Sequence, residues 1–330
     1  MSWIKRSLVT LSLFLLASLL PTQHCLAQPE TENFSAWLAE LRTEALAAGI
    51  SAATLDAALI DLSPVKKIIE SDRSQPEFKQ TLNDYLASRI NRVRIEKGRR
   101  LLRENWKLFA ELSRNYPVQS RFLIALWGIE TDFGRNQGTV PIVQALVTLA
   151  YDARRSDYFR RELLNALRII DKGLVPLGQL QGSWAGAMGQ VQFMPSVYLR
   201  YAVDINRDGK IDIMRSSADA LGSAANYLTR LGWKKNWSWG REVSVPGDFD
   251  PELHGLEQQL RLTDWQKLGI RRDDGSDLPK AEVRAALIRP DGASGRSFLV
   301  YDNYRRLLQW NRSHKFAIAV GLLADEIGKP

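Results

Sequence analysis

Cysteine and histidine are almost missing from this chain: one Cys and three His among 330 residues. The cysteine, Cys25, falls in an N-terminal segment with a basic start at Lys5 and Arg6, an apolar run from Leu8 to Leu20 and a Cys25-Leu26-Ala27 cleavage pattern before Gln28. That layout is a secretory signal, removed from the mature protein. Cleavage leaves His254 and His314 and no thiol. A Cys–His nucleophile is thereby excluded, and a His/Cys zinc site has too few ligands. Disulfides are excluded as well, although export would permit them, so the fold rests on its core alone. A lipoprotein would retain Cys25 as its first mature residue, but Thr22, Gln23 and His24 make a poor lipobox. The outer-membrane lipoprotein is therefore the alternative to a free exported protein.

Other absences narrow the chemistry. Past the signal, apolar runs such as Leu123 to Trp127 fall far short of the ~20 residues that span a bilayer. No phosphate-cradling glycine loop is present, which disfavours nucleotide chemistry. Ser63-Pro64-Val65-Lys66 matches the Ser-x-x-Lys pattern of penicillin-binding enzymes without their Ser-Asp-Asn and Lys-Thr-Gly partners. A serine N-cap with proline at the first helical position accounts for it. Gly182-Ser183-Trp184-Ala185-Gly186 does not place its serine centrally, as a nucleophile elbow requires.

What is present is globular: 45% hydrophobic, 25% charged and 9% aromatic residues, with length for two domains of roughly 150 residues. Lys and Arg outnumber Asp and Glu by 45 to 37, a mild excess that serves solubility or draws the protein to an anionic polymer. Helical patterns run from Asn33 to about Tyr116, with starts at Ser51 and Ser63-Pro64 and a long amphipathic stretch from Pro76 to Asn115. A second helical block covers Pro117 to Asp171, broken at Gly134 to Pro141. Glycines crowd Gly182 to Pro195, where the backbone must approach a neighbour or a ligand closely. Short β-type runs at Glu242–Val245, Val283–Arg289 and Ser297–Tyr301 predict a small antiparallel sheet, and helix returns from Asn303 to Ile327.

The chemistry left is that of carboxylates. Leu123, Leu126, Trp127 and Glu130 fall at i, i+3, i+4 and i+7 and share one helix face. An acid on an apolar stripe favours its protonated form and suits a general acid. A glutamate that turns to water at a helix end or pairs with Arg135 fits the same spacing. Asp132 cannot be its catalytic partner, because two residues turn the helix by about 200°. A glycosidase built on Glu130 must find its second carboxylate elsewhere or do without one.

Asp204, Asn206, Asp208, Lys210 and Asp212, with Gly209, follow the EF-hand spacing for calcium. Position 12, normally a bidentate acid, is Arg215, which makes this a weak calcium loop or a plain Asx-turn loop. Trp233, Trp237 and Trp239, interleaved with Lys234 and Lys235, suit sugar faces or single-stranded nucleic acid, or pin a loop to the core.

Taken together these segments resemble the lytic murein transglycosylase B family, from about Asn33 to the C-terminus. The carriers are Gly128-Ile-Glu130-Thr-Asp-Phe-Gly134-Arg135, Gly182 to Ser196, the loop from Asp204 to Asp212, Ala225-Asn226-Tyr227 and Trp310-Asn311-Arg312-Ser313, in the family's order. The resemblance implies a mainly α fold: a lysozyme-like helical core, an additional α domain and a small antiparallel β domain inserted late in the chain. The corresponding boundaries are 1–27 for the signal, 28–115 for the N-terminal α domain, 116–231 for the core with its EF-hand-like loop 204–215, 232–301 for the β domain and 302–330 for the returning C-terminal helix. It implies cleavage of the MurNAc-GlcNAc bond of peptidoglycan without water, with Glu130 as acid and then base. A hydrolytic muramidase and a non-catalytic wall-binding or scaffold protein are the alternatives.

By the same resemblance Gln192 binds the sugar amide or glycosidic region, Ser183 orients Glu130 or the N-acetyl group, and Tyr227, Tyr304 and Trp310 line the cleft. Met188, Phe193 and Met194 make the pocket apolar by packing. No cofactor is required, and a weakly bound calcium ion at the 204–215 loop is the one candidate. Glycan strands and cell-wall synthesis proteins are the implied partners, with no nucleic acid and no stable membrane insertion, in the periplasm. Gln190-Val191 departs from the aromatic and glycine common in the family, which implies one reshaped subsite.

Overall fold

The computed structural model describes residues 30–74 and 80–329; the signal segment with Cys25, and Pro76, lie outside the described residues. Three helices open it, α1 (Glu30–Ala47), α2 (Ala52–Ala58) and α3 (Lys66–Arg73). Ser51 caps α2 as its sequence suggests, its Oγ accepting from the Thr54 amide at 3.3 Å and donating to Asp171 at 2.5 Å. The Ser63-Pro64 start is displaced. Helix α3 begins at Lys66 behind Val65, without a side-chain cap, and the Ser63 carbonyl accepts from Gln144 Nε2 at 2.8 Å instead.

The stretch that reads as one amphipathic helix is three: α4 (Leu82–Arg89), α5 (Arg92–Glu104) and α6 (Trp106–Asn115). Asparagine makes both breaks, since its side chain competes for backbone hydrogen bonds and favours caps. Asn91 accepts from the Arg94 amide at 2.9 Å, and Asn105 ends α5 and starts α6.

The centre of the molecule is α7 (Ser120–Thr131), buried continuously from Phe122 to Ile129. A short ribbon of β1 (Val140–Pro141) leads to α8 (Ile142–Tyr151) and α9 (Ser156–Asp171), and returns through β2 (Gln181–Gly182), antiparallel to β1. Helices α10 (Pro195–Tyr201) and α11 (Ser217–Arg230) follow.

Next come β3 (Gly240–Ser244), β4 (Gln259–Arg261), α12 (Leu262–Lys267), β5 (Arg271–Arg272), β6 (Arg284–Ile288) and β7 (Ser297–Val300). The strands form one antiparallel sheet in the order β4-β6-β7-β3-β5. Strands β6 and β7 read as apolar runs rather than alternations because both faces are covered. Ala286, Ile288, Phe298 and Val300 join the helical core, whereas Ala285, Leu287 and Leu299 pack with Trp265 of α12.

Helices α13 (Asp302–Trp310) and α14 (His314–Gly328) close the chain, α14 lying against α7 and α5. The tryptophan cluster is structural. Trp239 is fully buried with its Nε1 on Asp325 at 2.8 Å, Trp233 donates to Gln119 at 2.8 Å, and Trp237 packs on the sheet beneath Lys234. Among the described residues no helix is long and apolar enough to cross a membrane.

Candidate functional site

Helix α7 delivers Glu130 to the surface. The chain leaves the helix immediately afterwards, since Asp132 and Phe133 adopt left-handed φ of 51° and 62°. Glu130 therefore sits in the last exposed turn, half-buried, in a cleft of about 600 Å3. Asp132 points elsewhere, pairing with Arg135 at 2.6 Å and with Lys97 at 3.8 Å. Among the described residues that line the cleft, Glu130 is the one carboxylate, so the two-acid arrangement of ordinary glycosidases has no counterpart there.

Trp310, at the end of α13, donates its indole N–H to Glu130 Oε1 at 2.7 Å. Its ring is itself fixed, 5.4 Å from Phe193 and 5.3 Å from Tyr227 between centroids. The contact joins residues 180 apart in sequence. A hydrogen bond to a carboxylate is stronger than one between neutral groups and orients the acceptor's plane.

The segment from Gly182 to Pro195 is the facing wall. A Cβ at Gly182 would lie 2.1 Å from the Ala187 carbonyl oxygen, so only glycine lets the turn close. Ser183 Oγ accepts from the Ala187 amide at 3.1 Å inside that turn, and Ser183 lines the cleft. Gln192 lines it too, held at φ 50° while its Nε2 donates to the carbonyls of Gly189 at 3.0 Å and Gln137 at 3.1 Å. A non-glycine residue in this region is strained and persists only where the surroundings fix it. Gln192, Ser183 and Trp184 also border a second hollow of about 700 Å3 that runs on toward Val65 and Val140.

Glu130, Ser183, Gln192 and Trp310 are thus brought together. Tyr227 does not line this cleft: its ring packs against Trp310 at 5.3 Å and, tilted by 32°, against Tyr201 at 4.7 Å. Tyr304 is 0% exposed, its hydroxyl 2.7 Å from His314 Nδ1, and burial raises its hydroxyl and lowers the imidazole. Its expected place in the cleft lining is corrected, because α13 turns Trp310 outward and Tyr304 into the core. Met188 and Phe193 are buried and Met194 reaches the lining.

The Gln190-Val191 departure does not reach the cleft surface either. Both are buried. Gln190 Oε1 accepts from Trp127 Nε1 at 3.1 Å and its carbonyl accepts from Thr131 at 2.6 Å, which locks the wall to the end of α7. Tyr85, Arg89 and Arg155, and Trp184 and Asn311, are among the other lining residues, none of them singled out by sequence. Only Trp184 and Asn311 carried a signal, inside quoted motifs; the others come from helices whose sequences look ordinary.

The calcium loop folds on itself. Asp204 accepts from the amides of Arg207 at 2.6 Å and Gly209 at 2.9 Å, Asn206 from Asp208 at 3.2 Å, and Asp208 from Lys210 at 2.9 Å. Asp212 accepts from Met214 at 3.0 Å and Arg215 at 2.9 Å. Asp219, on α11 and 0% exposed, accepts from Ile205 at 2.9 Å and Asp212 at 3.0 Å and closes the loop. Among the described residues no three acidic, His or Cys side chains converge on a cation position, and Arg215 is exposed at position 12. The loop therefore lacks the bidentate acid of an EF-hand at position 12.

The chain is similar to known proteins over most of its length. The family described as "Transglycosylase SLT domain" matches residues 33–325. The chain belongs to this family. A stretch of 222 residues is 34% identical to membrane-bound lytic murein transglycosylase B of Escherichia coli (strain K12), covering 64% of this chain and 58% of that protein. SltB3 from Pseudomonas aeruginosa, solved in complex with NAG-NAM-pentapeptide, superposes with a TM-score of 0.85 at 40% identity, over 90% of this chain and 80% of that one. The Escherichia coli lytic transglycosylase Slt35, solved in complex with calcium, superposes with a TM-score of 0.75 at 25% identity, over 91% and 92%. The transglycosylase domain is mainly α and lysozyme-like, with a small antiparallel sheet late in the chain.

Proposed function

We propose that this transglycosylase domain cleaves the MurNAc-GlcNAc β-1,4 bond of peptidoglycan strands without water, leaving 1,6-anhydroMurNAc ends. The observation that carries the reading is a lone cleft carboxylate, Glu130, oriented by Trp310 at 2.7 Å. Glu130 stands in the last turn of α7, where the chain then turns away and leaves its carboxyl in the cleft. In the first half of the reaction Glu130 gives its proton to the glycosidic oxygen as the C1–O bond breaks. The resulting carboxylate then takes the proton of the MurNAc C6 hydroxyl, whose oxygen bonds to C1 and closes the anhydro ring. Atoms balance with no water consumed, and one acid serves twice. Ser183 and Gln192 supply fixed dipoles where charge develops at C1 and at the N-acetyl group.

No cofactor takes part in this scheme. The protein acts in the periplasm after export through its N-terminal segment, on glycan strands and beside wall-building proteins. Glu130→Gln tests the assignment: it keeps binding to sacculi and loses release of soluble fragments, whereas persistent release overturns the role of Glu130.

A further inference from the structure

Among the described residues that line the cleft around Glu130, none comes from the five-stranded sheet, yet the sheet reaches one of the cleft's walls. That wall is α4: Tyr85 and Ser88 line the cleft from it, and Gln80 lines it just ahead of the helix. Eight residues are too few to hold a helix by themselves, and the first four amides of any helix find no partner within it. Thr81 Oγ1 accepts from the Asp84 amide at 3.2 Å. The Leu82 amide is taken by Asp291 Oδ2 at 2.7 Å, from a residue 209 positions further along the chain. A carboxylate there also meets the positive end of the helix dipole. A second hold comes from α14, whose Lys315 donates to the Gln80 carbonyl.

Asp291 stands in the turn between β6 and β7, and the turn is built to present it. Gly292 follows at φ 78°, its amide donating to the Arg289 carbonyl at 3.0 Å, and the Gly295 amide donates back to the Gly292 carbonyl at 3.1 Å. A Cβ at Gly295 would lie 2.9 Å from Asp291 Cβ, so the turn folds against Asp291 only with glycine there. Arg289 donates across it to the Ala293 carbonyl. We infer that Asp291 is a positioning residue: the sheet is a strut whose outer turn holds α4 in place as a substrate-binding wall of the cleft. The inference rests on the murein reading above and gives the sheet a part in it. Without the carboxylate, α4 is seated for only part of the time, and the apparent affinity for substrate falls with that fraction. Glu130 and Trp310 stand on other helices and keep their bond, so the chemical step is unchanged.

The test compares wild type, Asp291→Ala and Asp291→Asn on soluble glycan strands, with anhydro products quantified, alongside hydrogen exchange of the α4 amides and thermal melting. Asp291→Ala raises KM roughly two- to thirtyfold, the fold-change of a lost helix-end cap. Its kcat is about unchanged, and exchange quickens in α4 but not in α7. Asp291→Asn keeps an acceptor oxygen and stays near wild type. A turn that merely stabilised the fold would lower the melting temperature and the active fraction and leave KM as it was. Unchanged KM in Asp291→Ala overturns the inference, and so does an Asn variant as impaired as the Ala one. Absence of anhydro products from the wild type brings down the transglycosylase reading instead. Exchange in α4 that is the same in wild type and Asp291→Ala overturns the hold itself, whatever the products.

Discussion

Replacing Trp310 by Phe removes one hydrogen bond from the proposed catalytic acid and little else. The indole N–H lies 2.7 Å from Glu130 Oε1, and the ring packs on Phe193 and Tyr227. Phenylalanine keeps the ring contacts and deletes the donor. A hydrogen bond to a charged acceptor contributes about 1.5–3 kcal/mol, which corresponds to a loss of roughly 10- to 150-fold in kcat/KM if the bond persists into the transition state. The assay is release of soluble fragments from sacculi by wild type, Trp310→Phe, Glu130→Gln and the double variant. If Trp310 acts through Glu130, the double variant is no worse than Glu130→Gln alone, because the acid that the bond orients is already gone. Two results refute the reasoning: Trp310→Phe within twofold of wild type, or full additivity in the double variant.

Three other outcomes follow from the packing. Gly182→Ala forces a Cβ to 2.1 Å from the Ala187 carbonyl, so the wall shifts; the expected cost is at least about 1–3 kcal/mol in urea unfolding, with activity lost in the folded fraction. Asp219→Ala leaves the amides of Ile205 and Asp212 without their acceptor, destabilising the protein by about 2–4 kcal/mol. Millimolar calcium does not restore it, and calorimetry finds no sub-micromolar calcium binding to the wild type. Burial lowers the imidazole of His314 below its usual 6.5, so the unfolded chain binds the extra proton first. Stability from this group is complete above pH 6.5 and falls as pH drops below it. His314→Gln flattens that part of the melting-temperature profile, and an unchanged slope would remove His314 as its cause.

Much of the fold was legible because periodicity and caps are local. Ser51, the break at Gly134 to Pro141 and the apolar runs of β6 and β7 each announce themselves within a few residues. The Asn91 and Asn105 breaks were hidden, since charged helix formers on either side keep the pattern continuous. Glu130 was singled out through the resemblance of its motif more than through its stripe: α7 is buried on every side from Phe122 to Ile129, so a shared face with Leu123 and Trp127 distinguishes little. Its bond to Trp310 was not legible, because nothing local records a contact between α7 and α13. Tyr304 misled for a related reason, as an aromatic near a motif looks alike whether it turns outward or toward His314. Asp219 lies past the 12-residue EF-hand frame, on the first turn of α11, and so escaped a search for loop ligands. Arg89 escaped because an arginine ending an amphipathic helix is ordinary until the fold brings it to the cleft.

The central claim is that the sugar's own C6 hydroxyl, and not water, completes the cleavage begun by Glu130. Mass spectrometry of the new glycan ends after digestion of sacculi tests it most directly. Ends lighter by one water than the reducing form, absent with Glu130→Gln, are the predicted result. Reducing ends from the wild-type protein would contradict it.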